Sequence, residues 1–376
     1  MRAVRSWRTV RGLLLAVSVM LAGCGKFFVP PDHSGGGGGG GTATARVYVA
    51  NASTGTISGF SIGTAKLTAV PNSPVTLGFA PIAAVVSPNN AYLYVAGSAS
   101  ISVYAINSDG SLTARNNGVV ISVASLDVSP DGKWLFGLDA IQNTVDQFQI
   151  DASSGGLTPV TTPAAYPALS GTITPRKVRV SPGGTLVFCA LGNGGERVFT
   201  FDSKSGSLVY SQGLTLNDSA ASDNAVTVDG TGAYLYVARS GTNGGVAVYS
   251  IGAGGALKPI AGSPFAAGNR PFDIALDTTG KYLYVANRTD GTISAYTVGT
   301  GSALTAVPGS PFGSGQQVIS LAQDPAGTYL LAGANGGGPD LSMYSIDGAI
   351  PGKLNLATSV ATDTAPAGVV AIAVTH

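Results

Sequence analysis

A strand-like phrase of seven residues recurs along this chain, as AYLYVAG at 91–97, AYLYVAR at 233–239 and KYLYVAN at 281–287. Aligning its central residue gives seven copies, spaced by 42 to 52 residues. Repeats of this length are typical of propeller blades and of helical repeat proteins. One such unit cannot bury its apolar faces alone, so the copies must stack on one another. The central residues are Tyr48, Tyr94, Phe136, Phe188, Tyr236, Tyr284 and Leu331.

Each repeat contains four segments that favour strands over helices. They are short, rich in Val, Ile, Tyr and Thr, and bounded by Gly, Asn, Asp and Pro. In the sixth repeat they are PFDIALD at 271–277, KYLYVAN at 281–287, TISAYTV at 292–298 and the Pro-interrupted ALTAVPGSPF at 303–312. Pro is tolerated best at an outer edge, so the last segment is placed there. The third segment carries a recurring aromatic residue that we expect to point inward: Phe60, Tyr104, Phe148, Phe201, Tyr249, Tyr296 and Tyr344.

The two ends of the repeat region are complementary. The region opens on a second-strand pattern, ARVYVAN at 45–51, and ends on a first-strand pattern, GVVAIAVTH at 368–376. Four-stranded units around an axis form a β-propeller, and pairing the two ends leaves no open edge. We therefore predict an all-β, seven-bladed β-propeller of four-stranded antiparallel blades over residues 45–376. The C-terminal strand joins the N-terminal blade, and a sandwich of short strands is the less favoured alternative.

The N-terminal segment predicts export. Four Arg precede the apolar run LLLAVSVMLA at 13–22, as in a secretory signal peptide over residues 1–23. The run ends in LAGC, which resembles the lipobox of bacterial lipoproteins and implies that Cys24 is lipidated and anchors the protein to a membrane. Residues 24–44 include seven consecutive Gly and form a flexible linker. Gly25, rather than Asp, favours the outer over the inner membrane in a Gram-negative cell envelope.

Composition excludes several classes of function. Without residues 1–23 the chain has a net charge of −3, which argues against nucleic-acid binding. We expect no metal and no cofactor, because there is no His pair, no Cys pair and no haem or copper motif in the sequence. Cys189 lies in the apolar run TLVFCAL, so we expect a small buried side chain. We also expect a monomer.

The phrase YVAN, at 48–51 and 284–287, resembles the YVTN-type propeller repeat. The whole pattern resembles the seven-bladed lactonase-like family, which includes 6-phosphogluconolactonase and carboxymuconate-lactonising enzymes. That family carries an Arg and a His in a segment like PRH. Here the corresponding segment is TPRKV at 174–178, so Arg176 matches and Lys177 replaces the His. The resemblance also implies roles for Asp139, aligned with a family Asp, and for Arg288.

Strand polarity places the scarce charged residues at one end of the propeller. The first strand of a blade starts, and the second ends, on the same face. Cationic side chains at this mouth can hold a carboxylate, a phosphate or an acidic sugar, so a small anionic ligand is a predicted partner. The predicted ligand-binding residues are Arg176, Lys177, Arg239, Arg270 and Arg288. The candidates for catalysis are Lys177, Asp139 and Asp273; ion pairing within the protein is the alternative role of each charge.

The broken Arg–His motif favours a binding module over an enzyme, because His376 is the only His in the predicted propeller. The main functional prediction is therefore a cell-envelope lipoprotein whose propeller binds a protein or glycan partner. The alternative is a lactonase-type hydrolase that acts on a sugar or acid lactone at the Arg-rich mouth. A shared fold does not decide between them.

Overall fold

The computed structural model describes residues 44–376, except 140, 170–172, 217 and 365. The predicted signal peptide, Cys24 and the Gly run lie outside the described residues. The described chain forms seven antiparallel sheets, each built around four strands; these pair in chain order in six sheets, and the seventh takes its innermost strand from the C-terminus. The predicted all-β, seven-bladed propeller is confirmed.

The strands of the first three blades are as follows. Blade 1 contains β1 (Arg46–Asn51), β2 (Thr56–Gly63), β3 (Lys66–Ala69) and β4 (Val75–Thr76). Blade 2 contains β5 (Ala83–Val86), β6 (Tyr92–Ala96), β7 (Ile101–Ile106) and β8 (Leu112–Val119). Blade 3 contains β9 (Val123–Val128), β10 (Trp134–Asp139), β11 (Thr144–Ile150), β12 (Leu157–Pro159) and β13 (Ala164–Ala165).

The remaining blades repeat this order. Blade 4 contains β14 (Lys177–Val180), β15 (Leu186–Ala190), β16 (Glu196–Asp202) and β17 (Ser207–Leu214). Blade 5 contains β18 (Ser222–Val228), β19 (Tyr234–Ser240), β20 (Gly245–Ile251) and β21 (Leu257–Pro259). Blade 6 contains β22 (Pro271–Leu276), β23 (Tyr282–Asn287), β24 (Thr292–Val298), β25 (Leu304–Ala306) and β26 (Phe312–Gly313). Blade 7 contains β27 (Val318–Gln323), β28 (Tyr329–Ala334), β29 (Leu341–Ile346) and β30 (Leu354–Val360), and β31 (Val369–Val374) follows.

The C-terminal strand closes the ring. β31 pairs antiparallel with β1, with Val47 opposite Val374 and Val49 opposite Ile372, and so becomes the innermost strand of blade 1. The innermost strand of every blade contacts those of its two neighbours, from β31 through β5, β9, β14, β18, β22 and β27 back to β31. The predicted pairing of the C-terminal strand with the N-terminal blade is therefore confirmed.

The hydrophobic core is divided among the seven contacts between blades, and each of its seven clusters mixes residues of two neighbouring blades. The central residues of the repeated phrase are at most 1% exposed, and the third-strand aromatics at most 7%. Cys189 is fully buried, as expected. Each blade therefore needs both neighbours to cover its faces.

Side chains of one innermost strand also bind the backbone of the next. Val178 N donates to Ser125 Oγ at 3.2 Å, and Ile372 N donates to Ser320 Oγ at 3.1 Å. These bonds hold the innermost strands of neighbouring blades in register around the central channel. In the described part of the chain, no helix has the length and apolarity that crossing a bilayer requires.

Candidate functional site

A cavity of about 340 Å³ opens at the end of the channel where the innermost strands begin. Every blade contributes to its wall through its first strand, and blades 6 and 7 add Arg288 and Asn335 from just beyond their second strands. The predicted mouth therefore coincides with a cavity. Among the described residues that line it are Arg176, Lys177, Asn224, Phe272, Asp273, Arg288 and Asn335.

Two arginines share one aromatic ring in this cavity. The Cζ atoms of Arg176 and Arg288 lie 5.6 Å and 4.9 Å from the ring centroid of Phe272. Such cation–π contacts fix a guanidinium while leaving its N–H groups available. The Nε of Arg176 is buried and has no hydrogen-bond partner among the described residues, whereas Arg288 donates from Nη2 to Gln317 Oε1 at 3.0 Å.

The electrostatics of this pair favour an anion. Burial, together with the charges of Arg270 and Arg288, lowers the pKa of Arg176, and burial together with Arg270 lowers that of Arg288. No described carboxylate lies within ion-pair distance of either residue. A bound anion would compensate the mutual repulsion, so the two arginines are a candidate anion site.

A carboxylate–ammonium pair lies in the same cavity. Lys177 Nζ is 3.4 Å from Asp273 Oδ1, and the Asp273 side chain is only 6% exposed. The other oxygen of Asp273 accepts a hydrogen bond from Leu321 N at 2.9 Å, which fixes the carboxylate between blades 6 and 7. A carboxylate and an ammonium group are thus held in the same cavity as the candidate anion site.

Three other predicted residues lie elsewhere. Arg270 is exposed and does not line the cavity, although its charge acts on both cavity arginines. Arg239 donates from Nε and Nη2 to Asp223 at 2.5 Å and 2.9 Å, and its Nη2 lies 3.4 Å from Glu196 Oε1. Its guanidinium is therefore engaged with buried protein carboxylates.

Asp139 is not among the residues that line the cavity either. Its Oδ1 accepts hydrogen bonds from Ile141 N at 2.6 Å and Gln142 N at 2.5 Å, so it caps the loop after β10. Of the candidates for catalysis, the structure brings together Lys177 and Asp273, with Arg176 and Arg288 beside them.

Sequence reasoning did not single out Phe272 or Asn224. Phe272 follows Pro271 in the first strand of blade 6, where it reads as an ordinary apolar strand residue. Asn224 Nδ2 donates to Pro271 O at 2.7 Å and so joins blades 5 and 6 at the cavity wall. The sequence signal that could have identified Phe272 is an aromatic residue at the end of the propeller where charged residues are predicted. No cluster of three or more His, Cys, Asp or Glu able to hold a metal occurs among the described residues.

Comparison with known proteins agrees with this architecture. The family model described as "Lactonase, 7-bladed beta-propeller" matches residues 41–318. The chain therefore belongs to the seven-bladed lactonase family of β-propellers. No curated protein matches it.

Several solved structures share the fold. A candidate 6-phosphogluconolactonase from Bacteroides uniformis aligns with a TM-score of 0.74 and 18% identity, covering 89% of this chain and 100% of that one. Another from Bacteroides fragilis gives 0.71 and 17%, covering 89% and 98%. The periplasmic gluconolactonase PpgL of Pseudomonas aeruginosa gives 0.69 and 16%, covering 88% and 99%. At these identities the likeness establishes a common fold, and activity must be argued from the site.

Proposed function

We propose that this protein is a lactone hydrolase whose active site is the cavity at the Arg-rich end of the propeller. The observation that carries the proposal is the anion site of Arg176 and Arg288 beside the Lys177–Asp273 pair. Membership of the lactonase family supports this function over the scaffold role that the sequence favoured. The Lys that replaces the family His is paired with a buried carboxylate, so an acid/base set is present in another form.

The reaction needs three contributions from the protein. A water attacks the lactone carbonyl carbon, and the ring C–O bond breaks to release a hydroxy acid. Asp273 takes the proton of the attacking water, and the Lys177 ammonium gives a proton to the departing ring oxygen. Proton transfer from Asp273 to Lys177 then restores the pair. Proton transfer by positioned side chains typically contributes about 10²- to 10⁴-fold.

The two arginines stabilise the negative charge that develops on the carbonyl oxygen. Donors held in place before the reaction, in a site that excludes water, are worth about 10²- to 10³-fold each. Phe272 holds both guanidinium groups, so little reorganisation is needed when the charge forms. The same groups bind the product carboxylate.

The N-terminal sequence supports a proposal about where the enzyme acts. We propose that the protein is exported by its signal peptide and anchored to the cell envelope through lipidated Cys24, which the Gly-rich segment links in sequence to the propeller. The outer membrane is the proposed site in a Gram-negative cell. A protein or glycan partner in the envelope is compatible with this arrangement, because the outer edges of the blades take no part in the cavity.

Lactone hydrolysis by the purified full-length chain tests the proposal. A pH-stat assay with sugar, alkyl and carboxylate-bearing lactones should show turnover well above the spontaneous rate. Arg176→Gln and Arg288→Gln should each lower kcat/KM by about 10²-fold or more, since each removes a donor to the oxyanion. Asp273→Asn should abolish most of the wild-type activity, because it removes the proposed base.

The matched control is Arg115→Gln, which removes an exposed Arg of the outermost strand β8 that does not line the cavity, and it should leave kcat/KM unchanged. Thermal unfolding of every variant shows whether it is folded. A folded wild-type chain without turnover on any lactone class would refute the proposal, as would cavity variants with wild-type kcat/KM.

A further inference from the structure

The wall of the cavity is divided into two chemically different halves. Blades 4 to 6 contribute the ring of Phe272 and the charged and amide side chains Arg176, Lys177, Asn224, Asp273 and Arg288. Blades 1 to 3 contribute mainly methyl and methylene groups, from Ile82, Ala84, Ala124, Val370, Ala371 and Ile372. A ligand whose polar end binds the arginines must therefore place its other end against hydrocarbon.

The polar side chains of blades 3 and 7 in the cavity wall already take part in hydrogen bonds within the protein. Ser125 Oγ and Ser320 Oγ accept from the backbone of the next innermost strand, at 3.2 Å and 3.1 Å. Asn335 donates from Nδ2 to Val369 O at 3.0 Å. A hydroxyl group placed against the methyl and methylene groups of blades 1 to 3 would lose hydrogen bonds to water that these groups cannot replace, and such burial is unfavourable.

The apolar character continues outside the cavity at the same end of the propeller. Ile82, at the edge of the cavity wall, is 38% exposed, and Val120 and Ile141, which precede and follow strands of blade 3 at this end, are 92% and 83% exposed. Exposed apolar side chains that lie close together on one face often mark a binding site for apolar material, whereas scattered ones do not. A hydrocarbon chain longer than the cavity would leave it over this surface.

On the basis of the proposed function, we infer that the substrate is a lactone with a hydrocarbon body, alkyl or aryl, rather than a polyhydroxylated sugar lactone. The lactone carbonyl faces Arg176 and Arg288, and the hydrocarbon lies on blades 1 to 3. This assigns to Ala84 and Ala124 a role in specificity, because their small side chains leave room for the hydrocarbon. The product is a hydroxy acid whose carboxylate binds the two arginines.

Calorimetric binding of two product-like anions to the full-length chain tests the inference without turnover. Hexanoate and gluconate are both six-carbon monocarboxylates, and they differ in the hydroxyl groups of gluconate. Hexanoate should bind at least tenfold more tightly, because each buried methylene adds about fourfold in affinity. Equal or tighter binding of gluconate, or no binding of hexanoate, would overturn the inference.

A variant that fills the space beside the apolar half of the wall tests whether hexanoate binds there. Ala124→Leu should weaken hexanoate binding at least tenfold and leave acetate binding unchanged, since acetate occupies only the Arg end. The control Ala114→Leu, on the exposed outer strand β8, should bind hexanoate as the wild type does. Unchanged hexanoate affinity in a folded Ala124→Leu chain would refute the assigned position.

The two proposals fail in different ways. Tight hexanoate binding by a chain that hydrolyses no lactone would refute the proposed reaction and keep the assigned ligand class. Efficient hydrolysis of sugar lactones without preference for alkyl lactones would keep the reaction and refute the ligand class.

Discussion

Blade 3 has two carboxyl groups at positions where two other blades have uncharged side chains. In blades 1 and 6, the Asn that ends the second strand donates to a Ser seven residues later, Asn51 to Ser58 at 3.0 Å and Asn287 to Ser294 at 2.9 Å. Blade 3 has Asp139 and Asp146 at this spacing, both at most 5% exposed. Two carboxyl groups can share a hydrogen bond only if one is protonated. Burial and the neighbouring Asp139 raise the pKa of Asp146 to about 7.

This pair predicts a specific dependence of stability on pH. The folded state keeps the Asp146 proton up to about pH 7, whereas the unfolded chain releases it near pH 4. The free energy of unfolding therefore falls as pH rises between these values, by an amount on the order of 2–4 kcal/mol. Asp146→Asn keeps a donor to Asp139 and does not titrate. Urea unfolding should show equal stability of the two proteins at pH 4 and greater stability of the variant at pH 8.

An exposed carboxyl group supplies a control of opposite sign. Hydrogen bonds from Ser111 lower the pKa of Asp109, so its contribution is present above its unfolded pKa and is lost as pH falls. Asp109→Asn should therefore bring no gain at pH 8. Parallel pH profiles for the wild type and Asp146→Asn would contradict the assignment of a shared proton.

At the scale of the element, the turns between third and fourth strands interlock neighbouring blades. Gly155 and Gly206 have φ of +71° and +72°, and a Cβ on either would overlap Tyr92 or Trp134 of the preceding blade. Trp134 Nε1 and Gln147 Nε2 donate to carbonyls of the 203–206 turn at 3.1 Å and 3.0 Å. Glycine is needed here both for the left-handed backbone and for close approach.

Two glycine variants separate these effects. Gly206→Ala should lower the free energy of unfolding by about 3 kcal/mol, since it adds overpacking against Trp134 to the cost of a left-handed residue. Gly280→Ala, in a first-to-second-strand turn, has a similar φ of +70° but open space around the new Cβ. It should cost about 1 kcal/mol. Equal losses in chemical denaturation would show that contact with Trp134 contributes nothing.

At the scale of the whole molecule, one strand joins the two ends of the chain. β31 supplies Val369, Ile372 and Ala373, which are 0%, 8% and 6% exposed, to the core at blade 1. Its removal would expose the inner edge of β1 and two clusters of the core at once. Because each blade is covered by both neighbours, the loss would spread through the ring.

Deletion of residues 368–376 should therefore leave a chain that is no longer stably folded at room temperature and shows no cooperative unfolding transition on heating. Burying several apolar side chains contributes about 1.5–3 kcal/mol each, which together approaches the whole stability of a typical domain. Circular dichroism during heating measures the effect, and a synthetic peptide of residues 366–376 should restore a transition. Deletion of His376 alone, which follows β31, should leave a cooperative transition; an unchanged melting temperature without β31 would contradict closure by this strand.

The sequence predicted the blades more fully than the site. Period, strand composition and turn residues act locally and recur seven times, so they identified the strands, the inward aromatics and the closing strand. The fourth strands were expected to be irregular, and in blade 6 the segment at 303–312 is indeed divided into β25 and β26. Lys177 and Asp273 lie in different blades, and only closure of the ring brings them within 3.4 Å.

The sequence by itself determined the number of blades, their polarity and the end at which the charges gather, because these depend on patterns repeated along the chain. The tertiary structure decided which charges are free. Arg176 and Arg239 both lie at the mouth in sequence terms, yet Arg239 meets the carboxylates of Asp223 and Glu196, whereas Arg176 meets the ring of Phe272. The partner of each side chain comes largely from the approach of neighbouring blades, which a single repeat does not encode.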